Sequence, residues 1–266
     1  MKIGICFNPY RADERCFSVI NKFKSLLSER KIEYFFLDES NEKPDLIAVF
    51  GGDGTILSKS KYATENEIPI LAVNLGTVGF LSSVEEKDLD LAVNMLTQDS
   101  FSVKERTAIS IITPDGEVFY ALNDAVIERD KRFDGASVIA KLDFSIDGNL
   151  IYKLSADGII ISTPTGSTAY SLSAGGVILT PDLHSFIATP ICSHSLYTRP
   201  IVYNDDSIVK VKLAKNSSSA TLSVDGKCVK QLNVGDEVTI SKHPQKLKII
   251  DCGEEFFNRL IKKLGK

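Results

Sequence analysis

Two hydrophobic periods share this chain, and they change over near residue 100. Before that point, short apolar runs alternate with stretches of helical spacing. The run 2–7 reads as a buried strand, and 32–37 as another. Residues 45–50 (DLIAVF) are apolar almost throughout and stop at Gly51-Gly52, as a strand buried on both faces does. Within 14–30, Phe17, Ile20, Phe23, Leu26 and Leu27 recur at the spacing of one helix face. Residues 55–63 read as a second helix and 70–73 as a further strand. The stretch 84–96 starts acidic and carries Leu89, Ala92, Val93 and Leu96, a helix whose charges suit its dipole. Such alternation predicts an α/β domain with a Rossmann-like parallel sheet.

After the change the period becomes two. Val138, Ala140, Leu142, Phe144 and Ile146 alternate with Lys141, Asp143 and Ser145; Val209, Val211 and Leu213 alternate with Lys210 and Lys212. Asp-Gly pairs at 115–116, 134–135, 147–148 and 225–226 offer the positive φ angles of tight hairpins. This part predicts an all-β, sandwich-like domain. The expected division is 1–100 for the α/β domain, 101–240 for the β domain and 241–266 for a C-terminal segment. That segment carries a short helix over 254–264. Its Arg259, Lys262, Lys263 and Lys266 read as a solvated helix end whose cations complement the dipole.

Composition removes several functions. With 31 Lys and Arg against 35 Asp and Glu, the net charge of −4 lacks the basic excess of a duplex nucleic-acid binder. No run approaches the 18 or so apolar residues of a membrane helix. The first apolar run turns polar at Asn8 and charged at Arg11, short for a signal-peptide core. Cys6, Cys16, Cys192, Cys228 and Cys252 are odd in number and form no CxxC, so reduced thiols in the cytoplasm are expected. His184, His194 and His243 form no HExxH, and Cys192-x-His194 is too small for zinc, so the residues suggest no protein-held metal cluster.

Four segments carry chemistry. Gly51-Gly52-Asp53-Gly54-Thr55 follows a buried strand and precedes a helix. Its glycines allow a sharp turn and close approach, and the helix N-terminus suits a phosphate. Asp53 sits oddly beside a phosphate, unless it binds a metal, contacts a hydroxyl or removes a proton. The loop is neither a Walker A motif nor GxGxxG. Asn74-Leu75-Gly76 with Gly79-Phe80-Leu81 lies after the next strand, on the same sheet edge. Asn123-Asp124 can read a purine edge and a ribose hydroxyl together, or form an ordinary Asx turn. Residues 157–176 run from a buried strand into Ser, Thr and Gly at high density with Tyr170. That mix supplies hydrogen-bonding groups and a ring for stacking a base.

Together these segments resemble the NAD kinase family, over nearly the whole chain and in the family's order. The GGDG element is shared with diacylglycerol, sphingosine and phosphofructokinase-type kinases, whereas Ser162-Thr163-Pro164-Thr165-Gly166-Ser167-Thr168-Ala169-Tyr170 is highly specific. The resemblance implies transfer of a phosphoryl group from ATP, or from polyphosphate, to the 2′-hydroxyl of the adenosine ribose of NAD, giving NADP. It implies a divalent cation, usually Mg2+, a homodimer or homotetramer, and a final segment that returns to the first domain. By motif it makes Asp53 the general base, flanked by Gly52 and Gly54, and puts Asn74 in the second glycine segment. Asn123 and Asp124 would hold adenosine and Asp157 the nicotinamide side. Thr163, Thr168, Ala169, Tyr170 and Ser173 belong to the dinucleotide segment, and Lys61 would stand near phosphates. Relatives often have Asn-Glu at Asn123-Asp124, and some have Arg where this chain has Ser155. A lipid kinase and a non-catalytic dinucleotide-binding regulator are the competing readings.

Overall fold

The computed structural model describes residues 1–76, 79–98, 100–130, 139–253 and 255–265. Thr77 and Val78, the Asp134-Gly135 turn, Val138, Glu254 and Lys266 lie outside the described residues. The chain divides into two compact units, Met1–Arg106 with Gln245–Lys266, and Thr107–Pro244. The first crossing falls after 106, past the change of period near 100, because Ser102–Arg106 pairs antiparallel with Leu247–Asp251.

The first unit is α/β. Strands Lys2–Phe7, Glu33–Phe36, Leu46–Phe50 and Ile70–Asn74 run parallel, with Lys2–Phe7 between Glu33–Phe36 and Leu46–Phe50. Beyond Ile70–Asn74 come Leu247–Asp251 and then Ser102–Arg106. Leu46–Phe50 is buried at every position. Helix α1, Glu14–Glu29, begins where Asp13 accepts from Cys16 N at 2.8 Å, an N-cap. It buries Cys16, Val19, Ile20, Phe23 and Leu27, a stripe that leaves Phe17 exposed. Phe23 meets Phe50 edge-on at 5.2 Å. Each such side chain contributes about 1.5–3 kcal/mol by leaving water. Helix α2 spans Asp53–Glu65 and α3 Leu89–Thr97. The helix expected from residue 84 starts later. Val84–Glu85 instead forms a short strand beside Val73-Asn74, and a turn over Glu86–Asp88 leads into α3.

The second unit is antiparallel throughout. One six-stranded sheet runs Asn149–Ala156, Ala140–Ile146, Val209–Leu213, Glu237–Lys242, Ile109–Ile112, Val118–Ala121. The other runs Ile201–Asn204, Ser185–Ile191, Gly158–Ser162, Asp124–Arg129, Ala220–Val224, Lys227–Leu232. Val209, Val211 and Leu213 are buried while Lys210 and Lys212 are exposed. Residues of both sheets, among them Phe144, Val211, Ile127, Ile159, Phe186 and Leu222, form one core. At Asp147-Gly148 and Asp225-Gly226 both residues have positive φ, the type I′ signature. None of the five cysteines forms a disulfide. Among the described residues, no helix is long and apolar enough to cross a membrane.

Candidate active site

In the first unit, the buried strand Leu46–Phe50 delivers the chain to Gly51 at φ 151°. A methyl group there would lie 2.5 Å from Thr55 Oγ1, so both backbone angle and space require glycine. Gly52 caps α2 and Asp53 is its first residue. Gly51, Gly52, Gly54 and Thr55 line a cavity of about 340 Å³ with Asn8, Arg11, Asp13, Leu75 and Gly76. A helix N-terminus and a cation beside a cavity favour an anionic occupant.

The Asp53 carboxylate is held by the segment after the next strand. Its Oδ2 accepts from Phe80 N and its Oδ1 from Leu81 N, each at 3.0 Å. Gly79 makes the approach possible, since a methyl group there would lie 2.3 Å from Asp53 Oδ1. Lys263 Nζ stands 3.8 Å from Asp53 Oδ2 and 4.2 Å from the centre of the Phe80 ring. Arg259 is only 6% exposed and donates from Nη1 to Phe80 O at 2.9 Å. Both cations belong to the C-terminal helix, Phe256–Leu264. Arg259 is therefore not part of a solvated helix end, because the helix packs it inward; Lys263 stays exposed in the last turn, where its charge suits the dipole, and faces Asp53 as well.

In the second unit, Asn123, Asp124, Ala169 and Tyr170 line a cavity of about 410 Å³ with Val126, Glu128, Ser223, Asp225 and Gly226. The 122–124 backbone is fixed from two sides. The Asp225 carboxylate accepts from Leu122 N at 2.9 Å, Asn123 N at 2.7 Å and Asp124 N at 3.2 Å. On the other side, Thr163 N and Ser162 Oγ donate to Asn123 O, and Thr163 Oγ1 donates to Leu122 O. Gly166 packs so close that a methyl group there would lie 2.1 Å from Asn123 O. Asp124 is 4% exposed. Burial, and then the adjacent Asp225 charge, push its carboxyl up to about 7. Burial raises Asp225 too, but its three N–H donors favour the ionised form. Of the two acids, Asp124 is therefore the one whose setting favours the neutral carboxyl, a form able to donate a hydrogen bond.

The other expected residues are dispersed. Asn74 ends its strand and accepts from Gly76 N at 3.1 Å, an Asx turn at the cavity edge. Thr163 is buried and works on the backbone, accepting from Gly166 N as well. Thr168 closes the turn Gly166–Thr168 by donating to Thr165 O. Ser173 is exposed at the end of the short helix Tyr170–Ser173. Asp157 pairs with Arg129 Nε at 2.9 Å. It precedes Gly158, which faces Glu128, whereas Ser162 at the other end of that strand faces Asp124. The strand's rise puts roughly 13 Å between those ends. Lys61 pairs with Glu65 at 3.8 Å and stands along α2, about 12 Å of helix rise from Asp53.

Two family models match the chain in succession. Residues 7–101 match the ATP-NAD kinase N-terminal domain and 122–252 the ATP-NAD kinase C-terminal domain.

The chain belongs to the NAD kinase family.

The NAD kinase of Carboxydothermus hydrogenoformans is 38% identical over 236 residues, covering 87% of this chain and 82% of that protein. That of Clostridium tetani is 40% identical over 215 residues, covering 80% and 76%. Among solved structures, yeast NADH kinase complexed with NADH has a TM-score of 0.86 at 28% identity, covering 99% of this chain and 87% of that one. An Archaeoglobus fulgidus NAD kinase in complex with ATP has a TM-score of 0.79 at 24% identity, covering 98% of each chain. The protein is thus a kinase acting on NAD, and the lipid-kinase reading of GGDG falls. Family motifs do not single out three residues that shape the two sites. Asp225 reads in sequence as one more Asp-Gly turn, and Arg259 and Lys263 as part of a basic tail. Their partners are distant in sequence, so only the fold reveals them.

Proposed function

We propose that this kinase transfers the γ-phosphoryl of ATP to the 2′-hydroxyl of the adenosine ribose of NAD, with Asp53 as general base. The observation that carries this reading is the Asp53 carboxylate itself. It begins helix α2 beside an anion-suited cavity, and two backbone N–H groups fix its direction. In the reaction the ribose O2′ bonds to the γ-phosphorus, the bond from that phosphorus to the β,γ-bridging oxygen breaks, and ADP leaves. The proton of O2′ passes to Asp53. A ribose hydroxyl is a poor nucleophile, so a positioned base contributes about 10²–10⁴-fold. The rest is positioning and neutralisation of phosphate charge, which the glycine-loop N–H groups and Arg11 supply. Asn123 and a proton-bearing Asp124 offer the purine and ribose a mixed set of donors and acceptors, with Tyr170 beside them for stacking.

A divalent cation, Mg2+, belongs to the same reading. Among the described residues, no group of three His, Cys, Asp or Glu side chains is placed to hold one. Magnesium commonly takes one or two protein carboxylates and draws its other ligands from phosphates and water. Asp13, which lines the glycine-loop cavity, is the carboxylate that would serve it. Once bound, the ion neutralises charge on the transferring group. The test is NADP formation with ATP or polyphosphate as donor, NAD or NADH as acceptor, with and without magnesium. Turnover that survives in Asp53→Asn at the native rate would overturn the base assignment.

A further inference from the structure

The C-terminal helix turns one face onto one residue. Phe256, Arg259 and Lys263 follow the i, i+3, i+7 spacing of a single helix face. All three reach Phe80. The Phe256 ring lies 6.1 Å from the Phe80 ring, Arg259 Nη1 bonds the Phe80 carbonyl at 2.9 Å, and Lys263 Nζ sits 4.2 Å over the Phe80 ring. The opposite face is left to solvent, with Phe257, Ile261 and Leu264 exposed. Phe80 in turn gives its N–H to Asp53 Oδ2, and its neighbour Leu81 gives one to Oδ1. Lys263 also faces Oδ2 directly, at 3.8 Å.

We propose that Arg259 and Lys263 are positioning residues for phosphoryl transfer, holding the Phe80-Leu81 amides and the Asp53 carboxylate in their reactive arrangement. This rests on Asp53 being the base. Gly79 has no side chain with which to brace this segment, because a methyl group there would meet Asp53. A buried guanidinium on its carbonyl and an ammonium over its ring supply the missing restraint, and bonds to an ionised donor are the stronger kind. Lys263 adds an electrostatic part. Its ammonium, 3.8 Å from Oδ2, holds the carboxylate in place by charge.

The full-length chain tests this with kcat, KM for NAD, KM for ATP and the unfolding midpoint measured for Lys263→Ala, Lys263→Arg, Arg259→Lys and Asp53→Asn. Loss of orientation is expected to lower kcat about 10–100-fold in Lys263→Ala. Both KM values and the midpoint should stay near native, and Lys263→Arg should recover most of the rate. Arg259→Lys, which keeps the charge and can fold where alanine would leave a buried gap, should fall between. A Lys263→Ala enzyme at native kcat, or a loss that Lys263→Arg does not repair, overturns the proposal. Asp53→Asn separates the two readings. If it is inactive while Lys263→Ala is native, only the positioning role fails; if Asp53→Asn itself turns over normally, the base assignment fails and the positioning role with it.

Discussion

Asp53 and Asp124 are the same residue type in two opposite settings. Asp53 collects donors: two backbone N–H groups and a lysine ammonium surround its carboxylate. Around Asp124 the donors go elsewhere. Its own N–H and those of the two residues before it all bond Asp225, leaving Asp124 buried beside another acid. One carboxylate is held by donors; the other is left where burial favours its neutral form. Environment, and not residue identity, sets what a carboxyl group can do.

The comparison can be broken at several points. Asp53→Asn removes the acceptor but keeps the shape, and should lower the rate of NADP formation about 10²–10⁴-fold. Calorimetry should still show NAD binding. Next in size, Asp225→Ala leaves three backbone N–H groups without their acceptor, at about 1–3 kcal/mol for each that stays buried. The denaturation midpoint should fall accordingly, and KM for NAD should rise. Gly166→Ala pushes a methyl group against Asn123 O and should cost about 1–3 kcal/mol through overpacking. It should weaken NAD binding more than kcat. The smallest effect sharpens the contrast by pH. Folding raises the Asp124 carboxyl to about 7, so the folded chain binds that proton more tightly than the unfolded one. Its contribution to stability is therefore greatest at acid pH, and falls as pH rises from the usual carboxylate range through about 7. Asp124→Asn should flatten that slope in denaturation curves taken across this range. Affinity for NAD should likewise weaken above pH 7 in the native chain and not in the variant.

The two-part fold was plain in the pattern, because hydrophobic period is a local property and the two parts have different ones. LIAVF did become a strand buried at every position, with Asp45 left exposed before it, and Lys210 and Lys212 did face water. Helix ends were harder. Val84–Glu85 joins the sheet although its neighbours read as helix, since pairing with Val73-Asn74 outweighs local preference. At the site, motif carried Asp53, Asn123, Asp124, Ala169 and Tyr170, and each now stands in a defined setting. Thr163 was legible as part of the segment, but its work on the Leu122 carbonyl was not. Arg259, Lys263 and Asp225 could not be ranked from sequence. Their meaning lies in partners about 100 to 210 residues away, at Leu122–Asp124, Phe80 and Asp53.

The order of strands in the first sheet also governs when the enzyme comes into being. Leu247–Asp251 lies between Ile70–Asn74 and Ser102–Arg106, so the sheet closes only once the chain has been made past residue 251. The unit Thr107–Pro244 is uninterrupted and has all its strands earlier. A translation product cut short after residue 244 would therefore lack an inner strand of that sheet and the helix that reaches Phe80 and Asp53. The strand and helix within Gln245–Lys266 are thus as much a part of the first unit as the strands that open the chain.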